Sequence, residues 1–297
     1  MNRGDSSSTS GTGPRDTEAQ GLHVVIPALE GPSPDGATDS GSSDASYDSL
    51  FDQDASDEGL PPVALDVAPP IQGLYFDQSI RVPEGLAESV VAYCKDKYFN
   101  APGANQVMLF GRAPEASLTE PPSAKETTDA LTGFPPVLLS LLESLSTLLI
   151  PILPEETYSL LFPTTPTQAR QAIINLYEPG EGITPHVDLL GRYDDGIVGV
   201  SFGSGSAMRF DKVDDGEPED FEDPSLEEPA RRRWDVYLPE RSVIVLTEEA
   251  RYDWTHGIDK RTRDYVCDPE EGGKWVDRGV RMSVTFRWML GGADVLF

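Results

Sequence analysis

Read for hydrophobic spacing alone, the chain changes character twice. From residue 1 to about residue 70 apolar residues are sparse and follow no period, while Ser, Gly, Asp, Pro and Thr dominate. Such a stretch cannot bury enough surface to offset the entropy of ordering it, so a disordered acidic tail is expected over 1–70. Two apolar islands interrupt it, LHVVIPAL and YDSLF, and these are candidate segments for binding a protein partner. Order is expected from near Leu74. The run PEGLAESVVAYCKDKYF has apolar residues at helical spacing, with acids early and lysines late, as the helix dipole favours. The most apolar run, Pro135 to Pro154, carries Glu143 and three serines and is bounded by prolines. It predicts a buried helix over about Pro136–Leu149 rather than a membrane span.

After residue 168 the period shortens to two. RQAIINLYE, IVGVSF, SAMRF, RWDVYLP, RSVIVLTEE and VRMSVTFRWML are short, β-branched or aromatic, and separated by Gly, Pro and Asp. Six such runs predict a β sandwich or barrel, and helices that precede them predict an α+β fold with the helices packed to one side. The division expected is a tail over 1–70, a helical support and substrate-lid region over 71–168, and a β core over 169–297. An acidic loop over 211–229, followed by Arg231, Arg232 and Arg233, is read as a solvated connection between two strands of one hairpin.

The formal net charge of −28 argues against a sequence-blind coat for nucleic acid. The tail and the acidic loop hold over half of that net charge, however, so the core is only mildly acidic and a nucleic-acid substrate stays open. Two cysteines, Cys94 and Cys267, cannot build a disulfide framework or a four-cysteine zinc site. With no basic-then-apolar leader at the N-terminus, an intracellular protein, cytoplasmic and/or nuclear, is expected. A monomer that does not enter membranes is the remaining expectation.

The chain has three histidines. His23 lies in the tail and is assigned no role. His186 stands two residues before Asp188, and on extended backbone residues i and i+2 share a face. An imidazole and a carboxylate placed so can reach one metal ion; a capping or core-polar role for the pair is the alternative. His256, distant in sequence, would complete a set of two histidines and one carboxylate, which leaves open positions on an octahedral iron(II). Arg281 and Arg287 are six apart and face one way on a strand. Buried, they require anions, and a guanidinium fits a carboxylate well; on an edge strand they would simply face solvent.

NLYEPGEGITPHVD, WTHGI and RMSVTFRW together resemble the AlkB family of iron(II)- and 2-oxoglutarate-dependent dioxygenases. The likeness covers roughly Arg170 to Leu290, with a weaker match at Asn105 to Arg112, and it is closest to the oxygenase domain of the branch that hydroxylates a wobble uridine of transfer RNA. The resemblance implies a double-stranded β-helix (jelly roll). It implies that His186, Asp188 and His256 hold iron(II), that Asn175 and Tyr177 contact 2-oxoglutarate, that Arg281 pairs with its distal carboxylate, and that Arg287 lies near the metal-bound end and Asp188. The activity implied is oxidative hydroxylation or demethylation of a modified base, with RNA or tRNA favoured as substrate. Arg192, Arg209, Arg251, Tyr252 and Trp254 are candidate substrate contacts, with strand-end packing or salt bridges as their alternative role. The acidic tail and the long acidic loop depart from that branch, and no segment resembles an aromatic RNA-recognition motif. An oxygenase acting on a methylated protein side chain or a small molecule is the second reading, and a non-catalytic binding module the third.

Overall fold

The computed structural model describes residues 23–27, 62–111, 133–213 and 232–293. In chain order the elements are β1 (His23–Pro27), β2 (Leu74–Arg81), α1 (Glu84–Tyr98), β3 (Ala104–Gly111), α2 (Pro136–Leu149), α3 (Glu155–Leu161), β4 (Arg170–Tyr177), β5 (Ile183–His186), β6 (Tyr193–Gly203), β7 (Ser206–Lys212), β8 (Arg233–Leu238), β9 (Ser242–Leu246), α4 (Glu248–Tyr252), β10 (Trp254–Ile258), β11 (Arg263–Val266), β12 (Lys274–Asp277) and β13 (Arg281–Met289). The strands form a seven-stranded antiparallel sheet, ordered β1-β3-β4-β13-β6-β9-β2, and a four-stranded one, ordered β5-β10-β7-β8. Apolar residues of both sheets interleave, Ile197, Ile244 and Leu246 of the larger with Phe210, Val236 and Trp254 of the smaller, so the two lie face to face as a jelly roll.

Strict alternation along the central strand β13 sorts its side chains between two environments. Met282, Val284 and Phe286 join Ala172 and Ile174 of β4 and Val198, Val200 and Phe202 of β6 on the outer face. That face is covered by α1 and α2. Each helix presents one apolar stripe at helical spacing, Ala87, Val90, Cys94 and Tyr98 in the first and Leu138, Leu141, Leu145 and Leu149 in the second. Full burial of each leucine contributes roughly 1.5–3 kcal/mol, which fixes the helices to the sheet. Arg281, Ser283, Thr285 and Arg287 point the other way, between the sheets.

Two stretches of the tail expected over 1–70 are ordered. The β-branched run His23–Pro27 pairs antiparallel with β3 and covers its edge. An edge strand offers unpaired N–H and C=O groups, and a short β-branched segment is what such an edge accepts. Further on, the amides of Ala64 and Leu65 bond to Tyr265 and Asp235, and the amides of Tyr237 and Cys267 return bonds to Leu65 and Ala64. This segment is therefore a splice between β8 and β11, and Ala64 has no exposed surface. A two-residue splice carries too little apolar pattern to be read from sequence. YDSLF, residues 214–229 of the acidic loop and Arg231 lie outside the described residues, while Asp211 and Lys212 belong to β7 and the strands on either side, β7 and β8, do form a hairpin. Among the described residues both cysteines are free thiols, and no helix is long and apolar enough to cross a membrane.

Candidate metal centre and anion cavity

The floor of the space between the sheets follows from register. β13 is paired with β4 on one side and β6 on the other, and its inward residues define four rows. The first row is Tyr177–Arg281–Gly203, the second Asn175–Ser283–Ser201, the third Ile173–Thr285–Gly199 and the fourth Gln171–Arg287–Ile197. Polar rows at each end thus bracket a small, mostly apolar row. In that third row, the Cβ that Gly199 lacks would lie 3.1 Å from Cγ2 of Ile244. The absence of a side chain there is part of what keeps the floor open.

The opposite wall is the smaller sheet, and it supplies two of the three candidate metal ligands. β5 and β10 are antiparallel neighbours, with His186 directly across from His256. The two rings are 4.6 Å apart, centre to centre. Asp188 follows His186 by two residues, with 3.8 Å between its Oδ1 and His186 Nε2. One ligand atom from each of the three residues falls within 4.8 Å of the others. His186 Nδ1 lies 2.9 Å from the Thr184 carbonyl. An N–H placed there leaves the lone pair on Nε2, toward Asp188. Burial, helped by the neighbouring His186, pushes the His256 imidazole down to about 4, so it is neutral at ordinary pH. Burial alone would raise the Asp188 carboxyl, but the charge and hydrogen bond of Arg287 lead the opposing effects and hold the group below its usual value. Two imidazoles and one carboxylate form the N₂O donor set that suits iron(II) with positions left open.

Asp188 is fixed at both ends. Its Oδ1 accepts a hydrogen bond from Arg287 Nη1, whose Nε donates to Gln171 Oε1 at 2.8 Å. The guanidinium also stacks 3.7 Å from the ring centre of Tyr193. The backbone end is held by Arg251, which is only 1% exposed. Its Nη1 donates to the Asp188 carbonyl at 3.0 Å and its Nη2 to the Tyr193 carbonyl at 3.1 Å. Arg251 sits on α4, just before the strand that carries His256, so it ties together the two segments that supply ligands. Arg251→Met is expected to weaken divalent-ion binding by about 10- to 100-fold, as loss of a residue that orients a ligand does. Manganese(II) titration followed by electron paramagnetic resonance checks this, and unchanged affinity in a folded variant would refute it.

Arg251 and Trp254 are buried and do not serve as substrate contacts. The short helix α4 turns the arginine inward, and an isolated five-residue helix has too little pattern to be read from sequence. Arg209 is engaged by Asp211 and Asp259. Tyr252 is partly exposed.

At the other end of the floor Arg281 is 5% exposed. Its Nη2 donates to Ser201 Oγ at 2.9 Å, and its guanidinium lies 5.4 Å from the centre of the Tyr177 ring. Nε and Nη1 are buried with no hydrogen-bond partner among the described residues. A buried guanidinium with two idle donors is costly, and burial disfavours its charge. An incoming carboxylate removes that cost. Arg281, Asn175, Tyr177, Arg287 and the two histidines with Asp188 all line one cavity of about 90 Å³. One water needs roughly 10–15 Å³ on the same measure, so the space admits a small polar molecule. The register thus gathers all seven residues that the sequence resemblance assigned to the metal and the co-substrate. Gln106, Gln171 and Ser201 were not singled out, and Arg251 was singled out only as a candidate substrate contact. Gln171 lies four residues before Asn175 on the same strand, so the strand period could have found it; Gln106 and Ser201 stand across from Asn175 and Ser283, which only the register shows.

The sequence model described as the 2OG-Fe(II) oxygenase superfamily matches residues 96–287. Uncharacterized protein L905 of Acanthamoeba polyphaga mimivirus is 38% identical over 117 residues, covering 39% of this chain and 47% of that protein. The tRNA (carboxymethyluridine(34)-5-O)-methyltransferase ALKBH8 of Mus musculus is 37% identical over 128 residues, 39% of this chain and 17% of that one. The N6-methyladenosine RNA demethylase ALKBH of Cryphonectria parasitica is 33% identical over 120 residues, 39% of this chain and 51% of that one. The chain spans about half, or less, of the curated relatives it matches.

Proposed function

Since the chain belongs to the 2OG-Fe(II) oxygenase superfamily, we propose that it is an AlkB-type dioxygenase that hydroxylates or demethylates a modified base in nucleic acid, with RNA first among substrates. Iron(II) and 2-oxoglutarate are the metal and co-substrate of the superfamily. When bound, they supply activation of dioxygen, coupled to decarboxylation of the co-substrate to succinate, for hydroxylation of a C–H bond. His186, Asp188 and His256 would hold the metal. The observation that carries the reading is Arg281: two idle donors, buried in the cavity that also contains the three metal-ligating groups. They fit the far carboxylate of a short dicarboxylic acid whose other end reaches the metal. Asn175 and Tyr177 line the path between. Arg287 keeps the Asp188 carboxylate turned to the metal, and Ile173, Ile244 and Ile258 exclude water from the floor.

The choice of RNA rests on the relatives, one named for a transfer-RNA uridine and one for demethylation of N6-methyladenosine in RNA. A base must leave its stack to reach such a cavity, which favours loops and single strands. On an N-methyl group the hydroxylated product loses formaldehyde; on a carbon-linked side chain the alcohol persists. Succinate release measured with N-methylated single-stranded RNA, with unmodified RNA and with methyl-lysine peptide tests the proposal. Stimulation by the modified RNA, in proportion to loss of the modification, is the expected result. Stimulation by the peptide alone would favour a protein substrate, which the net charge of −28 would attract. No iron-dependent succinate with any substrate would favour a binding module.

A further inference from the structure

The second row of the floor continues beyond the cavity. Gln106 of β3 stands directly across from Asn175 of β4. Asn175 stands across from Ser283 of β13, and Ser283 from Ser201 of β6, which accepts from Arg281. Four polar residues thus form one lateral row over four strands, and only Gln106 lies outside the cavity lining.

Gln106 Nε2 donates to Asn175 Oδ1 at 2.7 Å. An amide has one acceptor end and one donor end. With its oxygen held by Gln106, Asn175 must turn its NH₂ the other way. Asn175 lines the cavity and Gln106 does not, so that way is into the cavity. The chain of donors runs from Gln106 to Asn175 and then into the cavity.

We propose that Gln106 is a positioning residue for the co-substrate site: it fixes which end of the Asn175 amide faces the cavity, and so makes the Asn175 NH₂ a donor toward a bound carboxylate. This rests on the reading of the cavity as the 2-oxoglutarate site. Reversal of the Asn175 amide would turn its oxygen to the cavity and would leave the anion one donor short. Hydrogen bonds in such a chain polarise one another, so the first link affects the last.

The test is a double-mutant cycle on the full chain, read as the dissociation constant of 2-oxoglutarate from its anaerobic titration into the iron(II)-loaded protein, followed by the visible charge-transfer band. Gln106→Met is expected to raise that constant about 3- to 10-fold, the range for loss of one oriented hydrogen bond. Gln106→Glu is closer in shape, yet it offers Asn175 only acceptors, turns the amide around and should weaken binding more than Gln106→Met. In an Asn175→Ala background Gln106→Met should have no further effect, and Gln106→Glu should lose its excess over Gln106→Met, because the residue acts through Asn175. Binding of the metal alone and the melting temperature should not move. Effects that add to those of Asn175→Ala, or a neutral Gln106→Met in the wild-type background, would overturn the inference. Absence of the band in the wild-type protein would instead sink the reading of the site on which it rests.

Discussion

Asp188→Ala is expected to yield a folded protein that forms no visible charge-transfer band with iron(II) and 2-oxoglutarate under anaerobic conditions and releases succinate only at the background rate. The substitution removes the single anionic donor of the three, and metal affinity should fall by on the order of 100-fold or more, beyond the loss typical for a residue that only orients a ligand. It also does something a simple ligand deletion does not. Arg287 is buried, and Asp188 is the carboxylate that holds it. A buried charge whose partner is removed typically costs about 3–5 kcal/mol, so Asp188→Ala should also lower the melting temperature of the metal-free protein. Asp188→Asn separates the two effects. Its amide oxygen can still accept from Arg287, so stability should be largely recovered while the band stays absent. A band of wild-type intensity in Asp188→Asn would mean that the metal does not depend on this carboxylate.

The second large effect has opposite signs in two assays. Arg281→Met should raise the dissociation constant of 2-oxoglutarate about 100- to 1000-fold, as truncation of one partner of a buried, hydrogen-bonded charge pair costs roughly 2–5 kcal/mol. In the ligand-free protein the same change deletes two buried N–H groups without partners. Such groups cost about 1–3 kcal/mol each to leave unmade, so the ligand-free variant should melt higher than wild type. Wild type should gain stability as 2-oxoglutarate is added and the variant should not. The two melting curves would then cross as co-substrate rises. If Arg281→Met lowered the melting temperature of the free protein and still bound 2-oxoglutarate, the idle donors would have to serve a structural role.

Much of this was open to sequence reading because period and spacing are local. RMSVTFRW alternates without a fault, and each alternate residue goes to the face its polarity demands: Met282, Val284 and Phe286 to the helices, Arg281, Ser283 and Arg287 to the cavity. The stripe of Leu138, Leu141, Leu145 and Leu149 gave the bounds of α2 for the same reason. His186 and Asp188 needed only the two-residue repeat of extended chain. The position of His256 did not follow from any local rule. It lies seventy residues away, and only the β5–β10 register sets it across from His186. Arg251 read as a candidate substrate contact, with strand-end packing or a salt bridge as its alternative, because nothing nearby in sequence says that α4 turns it inward to two backbone carbonyls. Edge pairing by His23–Pro27 was hidden because a five-residue run is stable only once a partner edge exists.

Gly199 carries a consequence for chemical selectivity. In the row of Ile173, Thr285 and Gly199, Ile244 is the side chain that stands closest to the vacant Cβ position. Shortening Ile244 to valine or alanine would extend the hollow sideways without touching the metal-ligating groups or Arg281. A dicarboxylate branched along its middle carbons, too wide for an unmodified site, would then have a pocket for its branch. A shape-matched pair of variant and ligand of that kind would let one oxygenase be driven or blocked alone among the many in a cell that share its co-substrate.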